Sequence, residues 1–320
     1  MFQLGYHVSH EQFTPSELLG YVVRAADSGF KFALSSDHFY PWSEAQGQSG
    51  FAWSWLGAAL AKTDIAMGVV TCPYHRYHPA VIAQAAATLL DMFPGRFWMA
   101  AGSGQMLNEG ISGKPWPTKD QRNEALKDAV HVMKRLWKGE EVSYSGHFEV
   151  REARLYTLPS QVPLVLGAAL TQKTAAFLAS WADGLITVNQ PLHKLRGMQE
   201  AWQNAGGNDK PMYMKLQVSY DAHPDKARQL AFKQWKTNVF ESDLLSELRN
   251  PRQFEQAAAH VKPQDMDDHV IISNDPEVYI NQIEEYRKMG FTAISVHNVN
   301  KQQQAFIEFF AEQVLPHFED

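Results

Sequence analysis

Cysteine is almost missing: Cys72 is the single one in 320 residues, which excludes an internal disulfide and any zinc site built on thiolates. Set among apolar neighbours, it reads as a packing residue rather than a nucleophile. Basic charge is also short, with 29 Lys and Arg against 35 Asp and Glu and no basic run. A net charge of −6 provides no field for nucleic acid. No apolar stretch approaches the length of a membrane span. The opening "MFQLGYHVSHEQF" lacks the basic flank, apolar run and small-residue cleavage site of an export signal, so a cytoplasmic location is expected. Glycine-rich phosphate motifs are missing too. No G-x-G-x-x-G follows the first strand-like run, "GSGQML" lacks the third glycine, and there is no P-loop, repeat or low-complexity tract.

What the chain does have is regular alternation. Short β-like runs, "FQLGY", "FKFALSSD", "DIAMGVVT", "RFWMAAGSG", "VPLVLGA", "ADGLITV", "MYMKLQVSYD" and "FTAISVHN", are separated by helical patterns. The first helix opens on Thr14, Pro15 and Glu17, a capping box with proline in the first turn, and closes at Gly29. Continuous apolar runs such as "DIAMGVVT" fit strands buried on both faces. Eight strands in this order predict an α/β fold, a single (β/α)₈ barrel over residues 1–320, in preference to a doubly wound open sheet. Insertions are expected near 138–160, where "SG" marks a hairpin turn, and near 221–290. Nine Trp, eleven Tyr and eighteen Phe suit both a filled core and a pocket for a planar ligand.

In a barrel, chemistry gathers at the C-terminal ends of the strands. Three adjacent ends carry polar and aromatic groups: "SSDHFYPW" after the second strand, "TCPYHRYHP" after the third and "GSGQMLNEG" after the fourth. Asp37 and His38 alternate faces on a strand, so they cannot address one spot unless the chain turns. His38 has the natural pKa for proton handling. Phe39, Tyr40 and Trp42 are expected to exclude water as a pocket wall. His75 and His78, with Asp37, His38 and Glu109, can be drawn as a metal site, but they lie in a proline-bounded loop without the other strand-end histidines that metal-dependent barrels use. No metal is expected. Gln105, Asn108 and Glu109 read either as recognition of a heterocycle's edge or as a turn and cap cluster. Thr171 and Thr174 stand at a helix start, where backbone N–H groups attract phosphate.

These stretches, with "HRYHPAVIAQAAATLLDMFPGRFWMAAGSGQMLNEG" and "DPEVYINQIEEYRKMGFTAISVHN", resemble the bacterial luciferase-like superfamily of flavin and deazaflavin oxidoreductases over about residues 2–316. The nearest branch is similar to the deazaflavin-dependent glucose-6-phosphate dehydrogenases and their flavin-using relatives. The resemblance implies a barrel holding an isoalloxazine-type ring at its C-terminal mouth. It casts His38, Trp42 and Gln105 as catalytic positions and Asp37, His38, Val69, Val70, Asn108 and Glu109 as cofactor contacts, to which the helix-start reading adds Thr171 and Thr174. Tyr40, Trp42, His75 and Thr187 fall on the substrate side. It also implies a non-prolyl cis peptide at Val69–Val70, bulging against the ring.

Departures from the family pattern carry information. Gln105 stands where the dehydrogenases have a proton-donating glutamate, and an amide cannot fill that role. Gln190 and Gln256 replace lysines that would grip a sugar phosphate, so glucose 6-phosphate is not the expected substrate. Leu170 and Thr171 replace a glycine pair near the cofactor phosphate. The expected activity is hydride transfer, or reduced-flavin oxygen chemistry, on a small organic molecule. Gln105 and the altered loop favour FMN as cofactor, and ancestry favours coenzyme F-420. An FMN enzyme would need a flavin reductase as partner, and a homodimer is expected from the superfamily. The reading of another class is a flavin-binding protein without turnover.

Overall fold

The computed structural model describes residues 2–319. Eight parallel strands form the barrel: β1 (Gln3–Val8), β2 (Phe32–Ser36), β3 (Ala66–Thr71), β4 (Phe97–Ala101), β5 (Val165–Ala168), β6 (Gly184–Val188), β7 (Met212–Ser219) and β8 (Phe291–Asn298). Pairing runs β7-β8-β1-β2-β3-β4-β5-β6, and β6 then pairs with β7, which closes the sheet. Every run expected as a strand is one. Helices α1 (Pro15–Asp27), α2 (Ala52–Lys62), α3 (Pro79–Met92), α4 (Lys119–Trp137), α5 (Gln172–Leu178), α6 (Leu192–Trp202), α7 (Pro224–Trp235), α8 (Pro276–Lys288) and α9 (Gln303–Gln313) follow the strands. The capping box is present: Thr14 Oγ1 accepts from the Glu17 N–H, and the Glu17 carboxylate accepts from the Thr14 N–H.

Strand alternation sorts the core into two layers. Leu4, Tyr6, Val8, Val69, Met99 and Leu216 point outward and pack under the helices. Phe32, Leu34, Trp98, Ala100, Leu166 and Ile186 point inward and fill the barrel. The floor is an aromatic plug of Phe32, Trp98 and Tyr213, with ring centroids 5.1–6.4 Å apart. Gly68, the register partner of Trp98, makes this possible, because a Cβ there would sit 2.2 Å from the indole ring. The barrel is therefore closed below, leaving the opposite end for ligands.

Two excursions leave the βα pattern. Val142–Ser145 and Glu149–Ala153 form the antiparallel hairpin expected near 138–160. The segment after β7 contains α7, the short helices Ser242–Glu247 and Pro251–Ala257, and a two-residue strand, Ile271–Ile272, beside the end of β7. Within the 221–290 stretch, α8 is an ordinary crossover helix, burying Tyr279, Ile283 and Tyr286. What remains lies across the C-terminal mouth. Phe254 packs on Trp42 at 5.3 Å, Gln234 receives a bond from Gln12, and Trp235 meets His297 edge-on at 4.9 Å. The segment is a roof on the barrel.

Candidate active site

Two buried charge clusters sit under this roof. The first surrounds Asp37, which is 3% exposed. Its Oδ2 accepts from Thr71 Oγ1 at 2.7 Å and Trp53 Nε1 at 3.3 Å and pairs with Arg76 Nη2 at 3.1 Å, while Oδ1 accepts from Tyr77 at 2.9 Å. Arg76 also donates to the Asp37 carbonyl at 2.6 Å and lies 3.6 Å from Glu109. The Arg76 N–H bonds Glu109 at 2.9 Å. Burial pushes the Glu109 carboxyl up to about 7 against the pull of Arg76. Burial, followed by the Glu109 charge, raises the Cys72 thiol well above its ordinary value, consistent with a packing role. Asp37 thus meets protein donors at both oxygens.

The second cluster surrounds Glu11, in the loop after β1. Its Oε1 lies 2.5 Å from His38 Nδ1, and its Oε2 accepts from Ser9 at 2.8 Å and Ser36 at 3.0 Å. Burial works to raise this carboxyl, but the His38 charge and hydrogen bond outweigh it and hold Glu11 well below the usual carboxylate range. His38 keeps 19% side-chain exposure while Glu11 keeps 4%, so the imidazole reaches the mouth from a buried anchor. Contact through Nδ1 leaves Nε2 as the free nitrogen. Trp42 packs edge-on against the ring at 5.3 Å and is itself held by Phe254.

The inward positions at the mouth divide into two halves. Val70, Gly102, Ala168 and Val188 are small and keep partial exposure. Against them stand His7, Gln217, Ser295 and His297, all buried and each with a polar atom lacking a hydrogen-bond partner among the described residues. Lys215 lies between the halves, partly accessible on β7. His7 and His297 stack at 4.4 Å, and Lys215 Nζ stands 5.4 Å over the Trp235 ring. Burial, then the Lys215 charge, holds His297 far below its ordinary pKa. Burial also lowers Lys215, with Glu11 opposing.

Several expectations need correction. No cis peptide occurs among the described residues: Val69 and Val70 lie within β3, paired with Ser35 and Ser36 on one side and Met99 and Ala100 on the other. Val69 faces outward into the helix layer and Val70 alone faces the mouth. Phe39 and Tyr40 are not buried as Trp42 is. Asn108 Oδ1 accepts from both of their N–H groups at 2.9 and 3.3 Å, and the rings stand 48% and 36% exposed, so only Trp42 lies inside. His75 lies under the following loop, 3.3 Å from Ser112 and edge-on to Trp116, while His78 caps α3.

The remaining candidates are positioned as follows. Gln105 precedes the single turn Met106–Glu109 and accepts the Asn108 and Glu109 N–H groups through its carbonyl. Thr171 caps α5 by accepting from the Thr174 N–H, and the two hydroxyls bond at 3.0 Å. Thr187 is buried at the end of β6, with Gln190 3.4 Å away. Sequence reasoning missed Glu11, Lys215, Gln217 and His297. The signal was present: "SHEQ" follows the first strand as "SDHF" follows the second, and "YMKLQ" and "ISVHN" place polar residues at period two inside strands.

With this geometry established, residues 1–293 match the family described as luciferase-like monooxygenase. An F420-dependent glucose-6-phosphate dehydrogenase of Beutenbergia cavernae is 35% identical, the alignment covering 99% of this chain and 97% of that protein. An F420-dependent secondary alcohol dehydrogenase, solved with an F420-acetone adduct, superposes with a TM-score of 0.91 at 29% identity, covering 100% of this chain and 99% of that one. The monooxygenase RslO1 of Streptomyces bottropensis, at 18% identity and a TM-score of 0.77 over 99% of this chain and 100% of that one, shares the fold.

Proposed function

The chain belongs to the luciferase-like monooxygenase family and is an oxidoreductase, and from that premise we propose that it oxidises a secondary alcohol with a deazaflavin coenzyme of the F-420 type. The reading rests above all on one observation: His38 is fixed through Nδ1 to the buried Glu11 carboxylate and faces a mouth whose far side is lined by small residues. That side fits a planar ring. A Cβ on Gly102 would meet Ala168 only at 3.8 Å, so Val70, Gly102 and Ala168 present a shallow wall that a flat heterocycle can lie against.

When bound, the coenzyme supplies the two-electron acceptor for a hydride. With the coenzyme bound to take the hydride from the alcohol carbon, His38 Nε2 would take the O–H proton as the carbonyl forms. Glu11 stabilises the imidazolium so generated, as a buried, correctly placed anion does. Trp42, clamped by Phe254, restricts the rotation of His38 and excludes water from its face. Thr171 and Thr174 order the start of α5, where we place the phosphate side of the coenzyme; Asn108 and Glu109 support the loop at its rim. In this scheme Asp37 positions the loop through Arg76 rather than touching the ring.

The F420-dependent relatives support the deazaflavin over FMN. A second reading keeps FMN and oxygen, carried by Gln105 in the place of a proton-donating carboxyl; the proton route through His38 removes the need for that carboxyl. The test is anaerobic mixing of the oxidised deazaflavin coenzyme and propan-2-ol with the protein, following loss of the coenzyme's visible absorbance. Reduction that requires alcohol and is indifferent to oxygen supports the reading, and reduction absent with deazaflavin yet oxygen uptake with reduced FMN overturns it.

A further inference from the structure

The unsatisfied half of the mouth has a specific donor and acceptor inventory. Gln12 Nε2 donates to the Val299 carbonyl at 2.7 Å and to Gln234 Oε1 at 3.1 Å, which fixes the Gln12 amide and makes its Oε1 an acceptor. His297 Nε2, 3.2 Å from that oxygen, therefore carries the ring proton. Held neutral by burial, His297 presents at Nδ1 a bare lone pair with no partner. Gln217 Oε1 is a second unpartnered acceptor, 7% exposed, and Ser295 Oγ is unpartnered at 1% exposure. The register sets Lys215 beside Ser295 and Gln217 beside His297 on adjacent strands, so the four form a two-by-two patch on the inner wall.

Lys215 completes the pattern. It makes no hydrogen bond or ion pair among the described residues, only the approach to Trp235. The anionic neighbour it feels is Glu11, whose oxygens are committed to His38, Ser9 and Ser36. Buried polar atoms are bonded in the great majority of native sites, and the partly accessible Lys215 stands beside two buried, unbonded acceptors without a counter-charge of its own, so the cluster calls for a ligand with matching groups.

We propose that this patch is the substrate's second anchor and selects a small polyhydroxy carboxylic acid: Lys215 takes the carboxylate, while His297 Nδ1 and Gln217 Oε1 accept from a hydroxyl beside it. The inference rests on the alcohol-oxidation reading, with the oxidised hydroxyl being a different one, at His38. A phosphate ester fits poorly. Three phosphate oxygens carrying up to two charges need several donors and more than one cation, and the patch offers one ammonium, one hydroxyl and the Gln217 amide N–H groups against two lone pairs that repel an oxyanion. A plain alcohol leaves Lys215 without a counter-charge, and a simple acid leaves the acceptors empty.

The test uses three-carbon probes that differ by one group: glycerate, glycerol, 3-hydroxypropionate and glycerol 3-phosphate. Each is titrated calorimetrically into the protein saturated with reduced deazaflavin coenzyme under anaerobic conditions, where an alcohol has no hydride acceptor and only binding is read. Glycerate is expected to bind at least 10-fold more tightly than glycerol, 3-hydroxypropionate or glycerol 3-phosphate, in line with a charged hydrogen bond and a second bond to buried acceptors. Lys215→Met is expected to weaken glycerate by about 10- to 100-fold while leaving glycerol unchanged, with Lys215→Arg recovering part of the loss. Equal affinity for glycerate and glycerol, or preference for the phosphate ester, overturns the inference. If Lys215→Met does not fold, the wild-type ligand series decides alone. If the coenzyme fails to bind, the same series on the chain alone still decides the patch, so failure of the cofactor reading and failure of the substrate reading are separate results.

Discussion

The Asp37–Arg76–Glu109 cluster and the Glu11–His38–Lys215–His297 cluster are both buried and charged and lie under one roof, yet they are built on opposite plans. In the first, Asp37 accepts from Thr71, Trp53 and Tyr77 and pairs with Arg76, so its oxygens face only protein, and Arg76 Nε, which makes no hydrogen bond, still has the Glu109 carboxylate 3.6 Å away. In the second, His7, Gln217, Ser295 and His297 each keep an unpartnered atom, and Lys215 has no ion pair among the described residues. A closed network rigidifies the loops that carry it, whereas an open one is completed by something that enters. The contrast teaches that the acid next to the key histidine in sequence is scaffold, and the acid that serves the histidine comes from another strand.

The comparison breaks first at Arg76. Arg76→Met removes the cation between two buried carboxylates and should cost about 3–5 kcal/mol in urea unfolding; a loss below 1 kcal/mol would mean the first cluster is not closed. His38→Ala acts in the other cluster: it takes the partner from one oxygen of the buried Glu11 carboxylate and should cost about 1–3 kcal/mol, while turnover of the folded protein falls about 100-fold or more. Unchanged turnover would remove His38 from the proton route.

Glu109 gives a pH signature confined to the closed cluster. Its folded pKa of about 7 lies above the ordinary 4.5, so the folded chain binds more protons than the unfolded chain between those values. The contribution is favourable below pH 4.5 and lost as pH rises through 7. Glu109→Gln should flatten the stability profile by roughly 2 kcal/mol over that window, seen as a shrinking difference in urea midpoints between pH 5 and pH 8. The smallest effect is at the rim. Asn108→Ala frees the Phe39 and Tyr40 N–H groups and should cost about 1 kcal/mol, with kcat within threefold and a raised KM.

The barrel was legible because each strand is a short apolar run bounded by turn residues, and "FTAISVHN" even has the observed limits of β8. His38 and Trp42 were legible as strand-end residues. Glu11 was not, because an acid in a loop shows its burial only once the barrel closes and brings β1 beside β2. Lys215 and His297 were hidden differently. Which face of an alternating strand looks inward is settled by closure, not by the strand itself. The backbone of Phe39 and Tyr40 is held by Asn108, 69 and 68 residues away, a contact no local pattern reports.

The most direct test of the account is a fluorescence titration of the purified protein with the deazaflavin coenzyme and, separately, with FMN. Saturable one-to-one binding of the deazaflavin, at least 10-fold tighter than FMN and retained in Asp37→Asn protein that still folds, is the predicted result. Tight binding of FMN with none of the deazaflavin would contradict it.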